Sequence, residues 1–232
     1  MFEKIYEFRY SDLNRYSNIK ESTVLDLFQD ISGLHVTQVG LPPEKLAEMS
    51  MVFLLEGWHV RFDEPLSRNA NVTVTTGIME MTSLRSTRKY EIFQNGKCAV
   101  TGTAVWYAIN TDKMRIMRVP DELFGMFDCI DEEDNGLPYI SLRPSIEHTL
   151  VGEKKIENRD LDTNHHLNNV KSVEIALDFL PDDFKITELC VKYRKEILKG
   201  ETIKIYSHSS EEGTFLEIVN ENDEVCVIVG VK

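Results

Sequence analysis

The stretch Asp162-Thr163-Asn164-His165-His166, followed by Asn168 and Asn169, gathers an acid, several amides and two imidazoles directly ahead of an apolar stripe that Pro181 ends. A carboxylate and an imidazole move protons near neutral pH, and an amide orients a polar substrate or a water molecule. If the stretch runs extended, Asp162, Asn164 and His166 stand two apart and project from one side, with Thr163 and His165 on the other. The helix that follows presents unpaired N–H groups and the positive end of its dipole at the same place, where a developing oxyanion is stabilised. Two adjacent histidines and an aspartate lack the ligand spacing of a zinc site. Plainer roles also fit: Asp162 and Asn164 as turn formers, His165 as a solvated loop residue, Asn168 and Asn169 as helix caps.

The elements that must hold these residues follow from periodicity. From Ser22, the apolar residues Val24, Leu27, Phe28, Ile31 and Leu34 recur at helical spacing, with Gly40 and Pro42 closing the segment. The same spacing returns from Asn169 in Val170, Val173, Ala176, Leu177 and Leu180. Most of the rest reads as strand, at 58–62, 71–79, 86–109, 190–197, 201–207 and 215–231, with hairpin turns at Asn95-Gly96 and at 221–223.

The halves also match in residues. An offset of 131 places Val60-Arg61-Phe62 on Val191-Lys192-Tyr193 and Pro65 on Glu196. An offset of 150 places Asp12 on Asp162 and Asn14 on Asn164, and a one-residue slip then sets Asn18-Ile19-Lys20 on Asn169-Val170-Lys171. The reading is a duplicated α+β unit: a domain over 1–130, an acidic linker over 131–140 that includes DEEDNG (131–136), and a domain over 141–232. By this alignment the first half carries Tyr16 and Pro65 where the second carries His166 and Glu196, so only the second half is equipped for chemistry.

Composition narrows the function classes. The chain has 232 residues and is 42% hydrophobic, enough for one large core or two modest ones. A net charge of -13 argues against general nucleic-acid binding. No apolar run approaches the roughly 20 residues that cross a bilayer, and the start MFEKIYEFRYSD lacks a signal-peptide core, so a soluble cytoplasmic protein without membrane attachment is expected. The four cysteines form no CxxC pair and are expected to be reduced, mostly buried thiols.

With these residues and this element order in view, the chain resembles the acyl-acyl carrier protein thioesterases of plants and bacteria. Asp162-Thr163-Asn164-His165-His166 with Asn168-Asn169-Val170-Lys171 resembles the family's DxNxH and NNVK pattern, and Tyr193-Arg194-Lys195-Glu196 is similar to its YRRE segment. The resemblance implies a tandem, or double, hotdog fold, in which two curled antiparallel sheets each wrap a long central helix. It implies a hydrolase that cleaves the thioester between a fatty acyl chain and acyl carrier protein, with no metal or organic cofactor. Asp162, Asn164, His166 and Glu196 are then the expected catalytic residues, with Glu196 arriving on a strand of the same half. Either carboxylate would activate water or attack directly, Asn164 would orient substrate or water, and His166 would set the hydrogen bonding of its neighbours. Asn168, Asn169, Arg194 and Lys195 are the expected substrate contacts. Ile197 stands where plant members commonly carry a cysteine, which excludes a thiolate there, and Cys190 is expected to be inert.

The first half is expected to shape the acyl pocket, with Met51, Phe53, Leu54, Trp58 and Met79 as candidate lining. Docking of an acidic carrier needs a local basic surface; Arg85, Arg88 and Lys89 form one candidate, and Lys154, Lys155, Arg159, Lys192, Arg194 and Lys195 another. The tandem halves would make a monomer sufficient, and a homodimer is compatible. Two alternatives stay open at this point: an acyl-coenzyme A thioesterase, and a non-catalytic acyl-binding module.

Overall fold

In the computed structural model, which describes residues 1–130 and 137–232, the two halves share one core order of elements, a strand, a main helix, then four strands, to which the first half adds two short helices and a two-residue strand. The first unit, Met1–Tyr139, contains β1 (Phe2–Tyr6), α1 (Glu21–Gln38), α2 (Pro43–Glu48), β2 (Met51–Phe62), β3 (Val72–Met81), β4 (Arg85–Gln94), β5 (Lys97–Asn110), β6 (Arg115–Ile116) and α3 (Asp121–Phe124). Its sheet runs β1-β3-β4-β5-β2, with β6 on β5. The second unit, Ile140–Lys232, contains β7 (Thr149–Lys155), α4 (Asn169–Leu177), β8 (Glu188–Tyr193), β9 (Thr202–Ser210), β10 (Gly213–Val219) and β11 (Val225–Val231). Its sheet runs β7-β9-β10-β11-β8, the same winding as in the first unit. The named strand pairs within each unit are antiparallel. The fold is therefore α+β, with one main helix to each sheet. The expected linker segment DEEDNG (131–136) lies outside the described residues. No described helix is long and apolar enough to cross a membrane.

Helix α1 buries Val24, Leu25, Phe28 and Ile31, so its inward face is rotated relative to the predicted stripe: Leu25 is buried and Leu27 only partly so. Phe28 stacks on Tyr90 at 4.6 Å between ring centroids and lies 5.9 Å from Trp58. That approach requires Gly102, because a Cβ there would sit 2.5 Å from the Phe28 ring. The helix ends at a left-handed Gly40 with φ of 91°, as the Gly-Pro signal predicted.

Helix α4 buries Val170, Val173 and Ala176 but is only 9 residues long, shorter than the long central helix expected, and Leu180 lies beyond its end. Pro181 has no N–H to donate to the Leu177 carbonyl, and the chain tightens there instead, with the Phe179 and Leu180 N–H groups donating to the Ala176 and Leu177 carbonyls at 3.1 Å. Strand β8 likewise stops at Tyr193 and does not reach Ile197. The Asn95-Gly96 hairpin is confirmed by φ of 52° and 77°, the two left-handed residues of a type I′ turn.

The first candidate basic patch does not form. Alternation along β4 turns Ser86, Arg88 and Tyr90 towards the core, where Arg88 is 3% exposed. Lys89 faces the other side of the strand, is also buried, and pairs with Glu91 at 3.2 Å, while Arg85 pairs with Glu80 at 3.6 Å.

Candidate active site

The Asp162 stretch is a tight turn rather than an extended strand. The Asp162 N–H donates to the His166 carbonyl at 2.8 Å, the His165 N–H donates to the Asp162 carbonyl at 3.1 Å, and His165 is left-handed with φ of 64°. Asp162 Oδ1 accepts the N–H groups of Asn164 at 2.8 Å and His166 at 3.1 Å. The expected alternation therefore does not place the three side chains, because short polar side chains satisfy the backbone locally in competition with an extended run. What brings Asp162 and His166 together is a hairpin-like loop closed by the Leu161–Leu167 bridge.

The first unit contains the same turn. The Asn14 N–H donates to the Asn18 carbonyl at 2.8 Å, and Asn14 Oδ1 accepts the N–H groups of Tyr16 at 2.9 Å and Asn18 at 3.1 Å. Ser17 is left-handed at φ 64°, Leu13 bridges Ile19, and α1 begins where α4 does in the copy. The structural offset is thus 148 throughout, not 150 with a slip, and it pairs Asn14 with Asp162, Tyr16 with Asn164, and Asn18 with His166. Asp12 matches the buried Asp160, which the sequence reading passed over; each carboxylate accepts an upstream backbone N–H, from Arg9 and Glu157. The signal was the Asp-Leu pair at 12–13 and again at 160–161, which aligns without any gap. The offset of 131 at the other segment holds: Asp63 and Glu64 donate to the Ala99 carbonyl as Arg194 and Lys195 donate to that of Cys226, so Pro65 corresponds to Glu196. The first turn therefore has neither acid nor imidazole at the matching positions.

Glu196 reaches the turn from the irregular segment after β8 rather than from a strand. The Leu167 N–H donates to the Ile197 carbonyl at 2.8 Å, and His166 bridges Leu198, which clamps the two segments side by side. Across that clamp His166 Nε2 lies 2.6 Å from Glu196 Oε2, with the imidazole 31% and the carboxylate 54% exposed. Asp162 and His166 are half-buried and Asn164 is exposed, so the site opens to solvent.

The remaining predicted residues divide. Asn168 is the N-cap of α4, its Oδ1 accepting the Lys171 N–H at 3.0 Å. The Asn169 carbonyl accepts the Tyr193 and Ser172 hydroxyls at 3.1 and 2.7 Å, which ties the first turn of α4 to β8. Arg194 and Lys195 are exposed, and Lys195 pairs with Glu224. Within the second candidate basic surface, Arg159 pairs with Glu157 at 2.6 Å and Lys154 with Asp160 at 3.7 Å. The Cys190 thiol is buried and pushed up to about 12, by desolvation first and by the nearby Glu188 carboxylate second, so it is a poor nucleophile.

The first unit encloses a cavity of about 270 Å³ between α1, α2 and the sheet. Of the predicted lining residues Phe53 is present; Met51 and Trp58 are buried in the core, and Leu54 is 54% exposed. Met79 is displaced by a β-bulge between Ile78 and Glu80, after which Ile78 and Met81 both line the space.

Comparison with known proteins places these features in context. Residues 1–127 match the family model for the acyl-ACP thioesterase N-terminal domain, and residues 145–228 match that for the C-terminal domain. The chain is 22% identical over 225 residues to the chloroplastic acyl-carrier-protein hydrolase FATB3 of Cuphea viscosissima, covering 88% of this chain and 53% of that protein. It is also 22% identical over 231 residues to the chloroplastic oleoyl-acyl carrier protein thioesterase of Coriandrum sativum, covering 90% of this chain and 60% of the other. It thus spans little more than half the length of these relatives. Among solved structures, it superposes on an acyl-ACP thioesterase from Bacteroides thetaiotaomicron with a TM-score of 0.90 at 17% identity, covering 99% of this chain and 96% of that one. The 12:0-ACP thioesterase of Umbellularia californica gives 0.84 at 15% identity, covering 100% and 96%.

Proposed function

Because the chain belongs to the acyl-ACP thioesterase family, we propose that it hydrolyses the thioester of fatty acyl-acyl carrier protein and releases the free fatty acid. Each unit is read as a hotdog, with the first shaping the acyl chamber and the second carrying the chemistry. The observation that carries this reading is the His166–Glu196 pair at 2.6 Å on the turn held by Asp162.

The proposed steps follow from the free atoms. Asp162 Oδ1 is committed to two backbone N–H groups, which leaves Oδ2 to take a proton from the attacking water. The matching turn in the first unit is held equally well by an uncharged Asn14, so the turn itself does not require the charge of Asp162. As the new C–O bond forms, the oxyanion is stabilised by N–H groups in the first turn of α4, close behind His166. The C–S bond then breaks, and the thiolate takes a proton from His166, which Glu196 orients and holds. The proton gained by Asp162 returns to the pair, and the site is restored. Asn164, exposed beside them, orients the reacting carbonyl or the water, and Arg194 contacts the carrier side of the substrate.

The test is thiol release from acyl-acyl carrier protein, run beside the same acyl group on coenzyme A. Glu196→Gln is expected to lower kcat about tenfold, and His166→Ala about a hundredfold or more. Native activity in both variants would overturn the site, and equal turnover on coenzyme A would overturn the carrier assignment.

A further inference from the structure

Arg88 lies on the core-facing side of β4, 3% exposed, in the wall of the cavity of the first unit. Its Nη1 donates to Thr76 Oγ1 at 3.3 Å and lies 2.8 Å from His35 Nδ1. Burial, Arg88 itself and the chain's amino terminus hold the His35 pKa down to about 4, so this neighbour is neutral and serves as an acceptor. Among the described residues no carboxylate lies within ion-pair distance of the guanidinium, and burial is the chief pressure against its charge.

A guanidinium does not shed its proton to relieve burial, so a buried one without a counter-charge is a standing destabilisation. A chamber for a plain alkyl chain would gain nothing from it, since methylene groups neither accept its hydrogen bonds nor balance its charge. The same cavity lining contains Ser86 from β4 and Gln29 and Ser32 from α1, and Gln29 Oε1 is buried without a hydrogen-bond partner. The rest of the lining is largely apolar, with residues such as Leu41 and Phe53. The cavity therefore holds a fixed cation and a few polar groups within an otherwise oily lining.

We propose that this cavity receives a carboxylate borne on an aliphatic chain and pairs it with Arg88, a step that rests on reading the cavity as the acyl chamber. A carboxylate matches the fork of the guanidinium and supplies the missing charge. It has two possible sources: the far end of an acyl group that carries a second, terminal carboxylate, or the head of a free fatty acid.

Calorimetric titration of the full chain with decanoate, decanedioate and decanol measures the binding without any need for turnover. The carboxylates are expected to bind at least about tenfold more tightly than decanol, the worth of one charged hydrogen-bonded contact. Arg88→Met should abolish that preference and Arg88→Lys should keep part of it, with thermal melts confirming that both fold. Decanol binding as tightly as decanoate to the native chain, or an Arg88→Met chain that keeps the preference, overturns the proposal. Thiol release from decanoyl and from singly esterified decanedioyl carrier protein then separates the sources. Faster release from the decanedioyl thioester assigns the far-end carboxylate. Inhibition of decanoyl release by decanoate, relieved in Arg88→Met, assigns the fatty-acid head. If neither thioester releases thiol while the binding preference persists, the hydrolase reading fails and the carboxylate site stands.

Discussion

Asp162 and Asn14 hold two copies of one turn through the same pair of backbone hydrogen bonds, one with a charge and one without. That natural comparison separates structure from chemistry at a single residue. Asp162→Asn is expected to keep the turn, with unfolding free energy within about 0.5 kcal/mol of native. Its kcat for thiol release should nevertheless fall about a hundredfold with KM little changed, since only the proton acceptor is lost. Asp162→Ala removes both functions and should also lose about 1 kcal/mol of stability. Urea unfolding read beside steady-state kinetics distinguishes the cases, and an active Asp162→Asn chain would reduce Asp162 to a turn former. Asn168 has the plainer role, as its Oδ1 caps α4. Nothing in the turn requires His165 beyond its left-handed backbone, where Ser17 serves in the first unit.

At the scale of elements, a glycine in each sheet admits an aromatic ring, from α1 in the first unit and from the segment just after α4 in the second. A Cβ at Gly102 would meet the Phe28 ring at 2.5 Å, and one at Gly152 would meet Phe179 at 2.1 Å. Phe28 is fully buried against Tyr90 and Trp58 and has no free direction to move. Gly102→Ala is therefore expected to cost about 1–3 kcal/mol by overpacking. Adding Phe28→Leu should recover part of that loss, so a double-mutant cycle in urea reads the coupling directly; additive effects would show that the ring is not what Gly102 accommodates. The clamp between Leu167 and Ile197 works on the same scale: two backbone segments, neither of them a strand, bring His166 to Glu196.

For the whole molecule, acid sensitivity follows from His35. Its pKa is lowered from 6.5 to about 4 in the folded chain, chiefly by burial and then by Arg88. The unfolded chain thus binds a proton at His35 that the folded chain refuses between those values, and stability contributed at neutral pH is lost as pH falls from about 6.5 towards 4. Thermal melts should show this decline, and His35→Gln should flatten it; an unchanged slope would place the sensitivity elsewhere. The sequence by itself determined the two main helices, the strands other than β1, β6 and β7, and the duplication, because hydrophobic period, turn residues such as Asn95-Gly96 and Gly40, and residue matches are local properties of the chain. Asp162, Asn164 and His166 stand out without coordinates as chemically unusual residue types in close spacing, whereas Glu196, thirty residues on, is singled out only by the resemblance of Tyr193-Arg194-Lys195-Glu196 to a family segment. How they meet was misjudged, since a turn and an extended run differ in which backbone groups the Asp162 carboxylate satisfies, and sequence spacing is blind to that choice. Only the tertiary structure decided the loop approach of Glu196 and the burial of Arg88. Each depends on contacts between segments far apart in sequence, where strand pairing and helix docking set which side chains share a space.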